Sequence, residues 1–131
     1  MVKGGFSKID KCKEMTHKDL EVWKLSMDLV EHIYKLMKKL PEDEKYGLIS
    51  QIKRSSISIP SNIAEGAARG TTKEFIRFLD IATGSLSELE TQLELTERLG
   101  YVKGNEIFID EIKTISKMLY KLKLSLKRKQ K

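Results

Sequence analysis

The sequence predicts an all-α protein, an antiparallel up-down-up-down four-helix bundle. Three observations carry that prediction. Apolar residues recur at alternating spacings of four and three through most of the chain, the period of one helix face. Breaker residues interrupt the pattern at three places, around Pro41, Gly70 and Gly100. No stretch keeps the strict apolar/polar alternation of a half-buried strand. Four helices joined by short connectors bury their stripes most simply as antiparallel neighbours crossing at roughly 20°.

Residues 1–16, with Gly4, Gly5 and scattered lysines, show no periodicity and are expected to form a flexible arm. The bundle is expected over 17–127 and a basic tail over 128–131. The first helix is predicted from near Asp19 to Leu40. Trp23, Met27, Val30, Tyr34 and Met37 form its narrow seam, widened on an adjacent face by Leu25, Leu29, Ile33, Leu36 and Leu40. Pro41 closes it, because the residue before a proline is driven out of the helical region. The second helix is predicted over 43–68, its first turn made acidic by Asp43 and Glu44. Ile49, Ile52, Ile59 and Ile63 supply its apolar side. A second, polar stripe runs through Gln51, Ser55, Ser58, Asn62 and Glu65. Pro60 sits within this pattern and predicts a kink, since it leaves the Ser56 carbonyl without a donor. Gly70 is the expected C-terminal cap.

Thr71 and Glu74 read as a capping box that opens the third helix. Phe75, Leu79, Ala82, Leu86, Leu89, Leu93 and Thr96 then hold the 4-3 spacing across three heptads up to Gly100. The last helix repeats it through Phe108, Ile112, Ile115, Leu119, Leu122 and Leu126. Ile76, Phe78, Ile81 and Leu95 lie off the main stripe of the third helix, and such surplus apolar surface points to self-association.

With 131 residues, 40% of them hydrophobic and only ten Gly and Pro, the chain suits one domain with continuous regular structure. Its single cysteine, Cys12, provides no intrachain disulfide and fits a reducing compartment. Lysines interrupt the N-terminus where a signal peptide would be apolar, and no membrane-spanning run is present, so the cytoplasm is the expected location.

The net charge is +6, unevenly spread. Between Lys117 and Lys131 there are seven basic residues and no acidic one, whereas Asp80, Glu88, Glu90, Glu94 and Glu97 lie in a stretch without Lys or Arg. The basic end can bind phosphate backbones by counterion release, remain a solvated tail, or meet the acidic stretch of another subunit. Lys117, Lys121, Lys127, Arg128 and Lys129 are the candidate nucleic-acid contacts, with Lys53, Arg54 and Arg69 as secondary ones. Such contacts reach phosphates and are largely sequence-independent; the sequence reveals no aromatic platform for stacking bases near them.

Enzymatic chemistry finds no support. His17 and His32 are 15 residues apart with no partner at a metal-ligand spacing. Glu14 and His17 supply one Glu-x-x-His pair where a di-metal bundle site needs two. Cys12 has no histidine base beside it, and residues 66–70 lack the lysine and preceding strand of a phosphate loop. No metal or cofactor is expected. Ser55, Ser58, Ser61 and Asn62, clustered about Pro60, can support the kink, allow close helix approach or line a pocket. Glu65 has two candidate partners, Arg54 and Arg69.

The segment from Tyr46 to Gly66, YGLISQIKRSSISIPSNIAEG, resembles the motif of a bacterial four-helix-bundle family once labelled as ribosomal. Genes of that family were noticed within intervening sequences of large-subunit ribosomal RNA genes. Residues 17–24 (HKDLEVWK) and 74–93 (EFIRFLDIATGSLSELETQL) resemble its first and third helices in order and spacing. The resemblance covers roughly residues 17–102 and implies a homo-oligomeric ring, a pentamer by analogy. Ser58, Pro60, Ser61, Asn62, Glu65 and Gly66 of the motif, with Glu90 and Glu94, are the candidates for its oligomer face. The family has no assigned catalytic residues. A relative by fold is the basic pentameric accessory protein of reverse transcriptase in diversity-generating retroelements. That relation implies two kinds of partner for this chain, RNA or DNA and a nucleic-acid enzyme.

Overall fold

The computed structural model describes residues 16–130. Most of the expected N-terminal arm, with Cys12 and Glu14, and the final Lys131 lie outside them. Within these residues the chain is all-α, with four long helices and no strand: α1 (Glu21–Met37), α2 (Leu48–Ala67), α3 (Thr72–Arg98) and α4 (Ile109–Lys129). Each helix packs on the next, most extensively α2 on α3, and α4 closes back on α1. That closed order is what a four-helix bundle requires.

The core follows the 4-3 rhythm. In α3, Leu79, Ala82, Leu86, Leu89, Leu93 and Thr96 are all buried, and in α4 so are Ile112, Ile115, Leu119 and Leu126. In α1 the predicted seam is corrected. Val22, Ser26, Leu29, Ile33 and Leu36 face inward together with Met37 of the predicted seam, and Leu40 is buried just beyond the helix, whereas Met27 and Tyr34 are exposed. A buried serine occupies the inner register because its hydroxyl donates to the Val22 carbonyl at 2.7 Å, leaving no orphan group.

The start of α2 is also corrected. Glu42–Glu44 form a separate 3-10 turn after Pro41, and the α-helix begins only at Leu48. Gly47 breaks the path with φ −110° and ψ −106°, outside helical values. α2 then continues as one helix through a buried Pro60. It ends at Ala67 with Ala68 as the cap, so Gly70 is not that cap; its φ of +84° instead turns the chain into α3. Thr71 accepts the Glu74 backbone N–H at 3.2 Å, the first half of the expected capping box. At the other end of α3, Gly100 has φ +83°. It donates to the Glu97 carbonyl while Tyr101 donates to that of Thr96, the paired bonds of a Schellman stop.

The α1–α2 and α3–α4 connectors meet. The Tyr101 hydroxyl donates to Glu44 Oε2 at 2.8 Å, and the Lys39 ammonium pairs with Glu106. Phe108, at the N-cap of α4, holds a left-handed φ of 57°, strained for a bulky residue. Its ring stacks on His32, which is hydrogen-bonded to Glu111 at 2.9 Å and so joins α1 to the start of α4.

Candidate nucleic-acid interface

α4 is amphipathic, and the face turned from the core carries the charge. Lys117, Lys121, Lys127, Arg128 and Lys129 are all exposed, as is Lys113 one turn before them. Because α4 extends to Lys129, the last of these side chains project from a helix. None forms an ion pair with a carboxylate among the described residues. Lys123, on the flank nearer α3, differs: it is partly buried and paired with Asp80. The unpaired cations Lys113, Lys117, Lys121, Lys127 and Arg128 therefore fall on one positive side of the helix, with Lys129 on its flank.

The helix also carries an aromatic on this face, beside the cations near which the sequence reading expects no stacking platform. Tyr120 is 65% exposed. Lys113, Lys117, Tyr120, Leu124 and Lys127 succeed one another at spacings of four and three, so they form a single row along the outside of α4. The signal was available: Tyr120 stands seven residues from Lys113 and seven from Lys127, two turns either way.

The secondary basic candidates lie apart from this row. Lys53 and Arg54 belong to α2, which packs chiefly on α1 and α3. The Lys53 ammonium sits 4.6 Å from the centre of the Tyr34 ring. Arg69 is engaged twice, with Glu65 at 2.8 Å and over the Phe78 ring at 5.1 Å, which resolves the choice of partner for Glu65.

The polar stripe of α2 faces α3. Ser55 Oγ donates to Gln92 Oε1 at 2.7 Å, and the Ser58 and Ser85 hydroxyls share a hydrogen bond of 2.7 Å. Asn62 Nδ2 donates to the Ser58 carbonyl and hydroxyl within its own helix. The carbonyl it meets is that of Ser58 rather than Ser56, so the amide does not repair the bond that Pro60 removes. Gly66 is buried against α3, where a Cβ would come within 2.7 Å of Phe78 Cβ. Small polar residues thus serve close helix approach here. Pro60 and Gly66 are buried within the chain itself, whereas Ser61, Glu65, Glu90 and Glu94 are exposed. Glu94 pairs with Arg98 at 2.8 Å.

Two apolar surfaces remain open. A cleft of about 830 Å³ lies between α1 and α2, lined by Val30, Tyr34, Met37 and Ile49 together with Lys35, Lys38, Lys45 and Lys53 and the acidic Glu31 and Glu42. On α3, Ile81, Leu95 and neighbouring Leu99 are exposed. No cluster of metal-ligating side chains occurs among the described residues, and no helix there is long and apolar enough to cross a membrane.

Comparison with known proteins gives the chain its relatives. No curated protein matches it. A crystallised protein of unknown function from Bacteroides thetaiotaomicron, assigned to the S23 ribosomal protein family, superimposes with a TM-score of 0.72 at 30% identity. The match covers 78% of this chain and 94% of that one. The profile of the 23S rRNA-intervening sequence proteins matches residues 18–121, from just before α1 to the middle of α4. The chain belongs to the 23S rRNA-intervening sequence protein family.

Proposed function

We propose that the protein is a non-enzymatic, homo-oligomeric cytoplasmic bundle that binds the phosphate backbone of RNA or DNA through the outer face of α4. One observation carries this reading: Lys113, Lys117, Lys121, Lys127, Arg128 and Lys129 share an exposed helix without a carboxylate partner among the described residues. Cations held to a solvated surface merely for solubility are commonly interspersed with acids, whereas a run of one sign along a helix attracts a polyanion. Assembly would repeat this face in every subunit, so that weak contacts add through avidity. A ring of five is what the family resemblance implies by analogy, and the exposed Ile81, Leu95 and Leu99 would supply apolar area for subunit contacts.

Light scattering on the purified protein tests both parts, with and without a short structured RNA, at low and moderate salt. The expected result is a ring-sized species that gains RNA mass at low salt and sheds it as salt rises. Reversing charge at Lys117, Lys121 and Lys127 should abolish the gain and leave the assembly intact. A ring that ignores RNA at low salt would defeat the binding reading; a monomer would defeat the assembly.

A second reading has its own support in the apolar cleft between α1 and α2. There the protein is a scaffold or accessory factor to a nucleic-acid enzyme such as a reverse transcriptase, without touching nucleic acid itself. Unaltered weak RNA binding after the charge reversals would favour it.

A further inference from the structure

We propose that Tyr120 is a base-stacking platform and that the α4 face consequently prefers single-stranded nucleic acid to duplex. The inference rests on the backbone-binding reading above and adds the class of strand. A phenol ring that is 65% exposed in mid-helix leaves most of its apolar surface in water, where burial beneath another flat ring is favourable. Among the described residues, no aromatic or cation-π partner covers it.

Its surroundings select a nucleic acid over an apolar protein surface. Lys117 precedes it by three residues and Lys121 follows it directly; Lys113 and Lys127 stand two turns away on either side. At a rise of about 1.5 Å per residue, Lys113 and Lys127 are about 21 Å apart along the axis with Tyr120 midway. A single strand laid along this row presents phosphates to the lysines and can turn an unpaired base onto the ring. A duplex keeps its bases stacked inside and offers the ring only its backbone. Lysines with an interleaved aromatic are the arrangement by which sequence-tolerant single-strand binders work. Leu124, partly buried one turn beyond Tyr120, extends the apolar floor on which the edge of the base or sugar can rest.

The test uses fluorescence anisotropy with labelled oligo-adenylate RNA and a blunt RNA duplex of equal length, at low salt. Tyr120→Ala should weaken the single strand about tenfold, within the range of one lost base–aromatic stack, and change the duplex little. Tyr120→Phe should bind both as the parent does, because the ring and not the hydroxyl is at work. Equal binding of oligo-adenylate by the parent and Tyr120→Ala overturns the stacking role and leaves the backbone reading standing. A parent that binds neither probe overturns both. Light scattering on Tyr120→Ala supplies the remaining check: a smaller assembly than the parent would place the ring in a subunit contact and overturn the proposal.

Discussion

The α2–α3 contact and the outer face of α4 are both rich in polar groups, and they treat them oppositely. Between α2 and α3 each hydroxyl or amide has its partner: Ser55 meets Gln92, Ser58 meets Ser85, and Asn62 closes on Ser58. No buried side-chain nitrogen or oxygen among the described residues is left without a hydrogen bond. On α4 the ammonium groups have no such partners, although Asp80 on the neighbouring helix is close enough to take Lys123. Satisfied polar groups in an interior specify how two helices fit; unsatisfied charges on a surface are available to something else. The first region is where this chain keeps its fold, and the second is where its binding is proposed to lie.

The largest expected effect is at Gly66. Gly66→Ala introduces a Cβ within 2.7 Å of Phe78 Cβ and 3.0 Å of the Phe75 ring, so α2 and α3 must separate. Overpacking of this kind costs about 1–3 kcal/mol, or a fall in Tm of roughly 4–12 °C for a domain of this size. Thermal melts should show the loss, while RNA affinity of the folded protein stays put. An unchanged Tm would mean that the helices do not approach as closely as described.

Next comes the hydrogen bond between Ser55 and Gln92. Ser55→Ala strands the buried Gln92 Oε1 and should cost about 1–2 kcal/mol, whereas Gln92→Leu should cost less, because the Ser55 hydroxyl keeps the Ile52 carbonyl at 3.1 Å. The double variant should cost less than the sum, with a coupling of at least about 0.5 kcal/mol in urea unfolding. Strict additivity would show that the two side chains contribute separately and that the seam is not a network. Lys117→Ala and Lys127→Ala sharpen the contrast from the other side. Both are surface substitutions expected to shift stability by no more than about 0.5 kcal/mol. Each should nevertheless reduce the slope of log affinity against log salt by about one for RNA. A stability loss without a change in slope would assign these lysines to structure.

Most of the fold was legible in the sequence, and the exceptions have physical causes. α3 keeps the 4-3 spacing without a gap over three heptads, so Leu79 to Thr96 could be assigned even with Ile76, Phe78, Ile81 and Leu95 off the stripe. α1 is apolar on two adjacent rows, and the inner one contains Ser26, which a count of hydrophobic residues penalises. Only the hydrogen bond to the Val22 carbonyl makes that serine a core residue. The start of α2 is not legible in its acidic residues, because these suit the first turn of a 3-10 helix as well as that of an α-helix. At the interface, the lysines of α4 were visible as a charge run. Tyr120 stands inside that run in sequence, and only the helical spacing of four and three sets it in one row with Lys113, Lys117 and Lys127. The role of Ser55 and Ser58 was undecidable, since their partners Gln92 and Ser85 lie 37 and 27 residues away.

The smallest effect concerns the paired connectors and depends on pH. The Lys103 backbone N–H, donating to Glu106 at 2.8 Å, holds the Glu106 carboxyl below the usual glutamate range, with the Lys39 ammonium adding to it. A carboxyl depressed on folding stabilises the native state above its unfolded pKa of about 4.3 and ceases to do so as pH falls through the lower folded value. Across the same junction, the hydrogen bond to Glu44 raises the Tyr101 phenol above its ordinary value. That contribution is complete below pH of about 10 and fades as pH rises through the folded value. Glu106→Gln keeps an acceptor for the Lys103 N–H but removes the charge. Its Tm should therefore lie slightly below the parent's at neutral pH, and the two should converge as the solution is acidified through the carboxylate range. Both groups are solvent-accessible, so salt should narrow the neutral-pH gap. A gap that persists at acid pH would mean that geometry at the connector, and not the charge on Glu106, holds the two loops together.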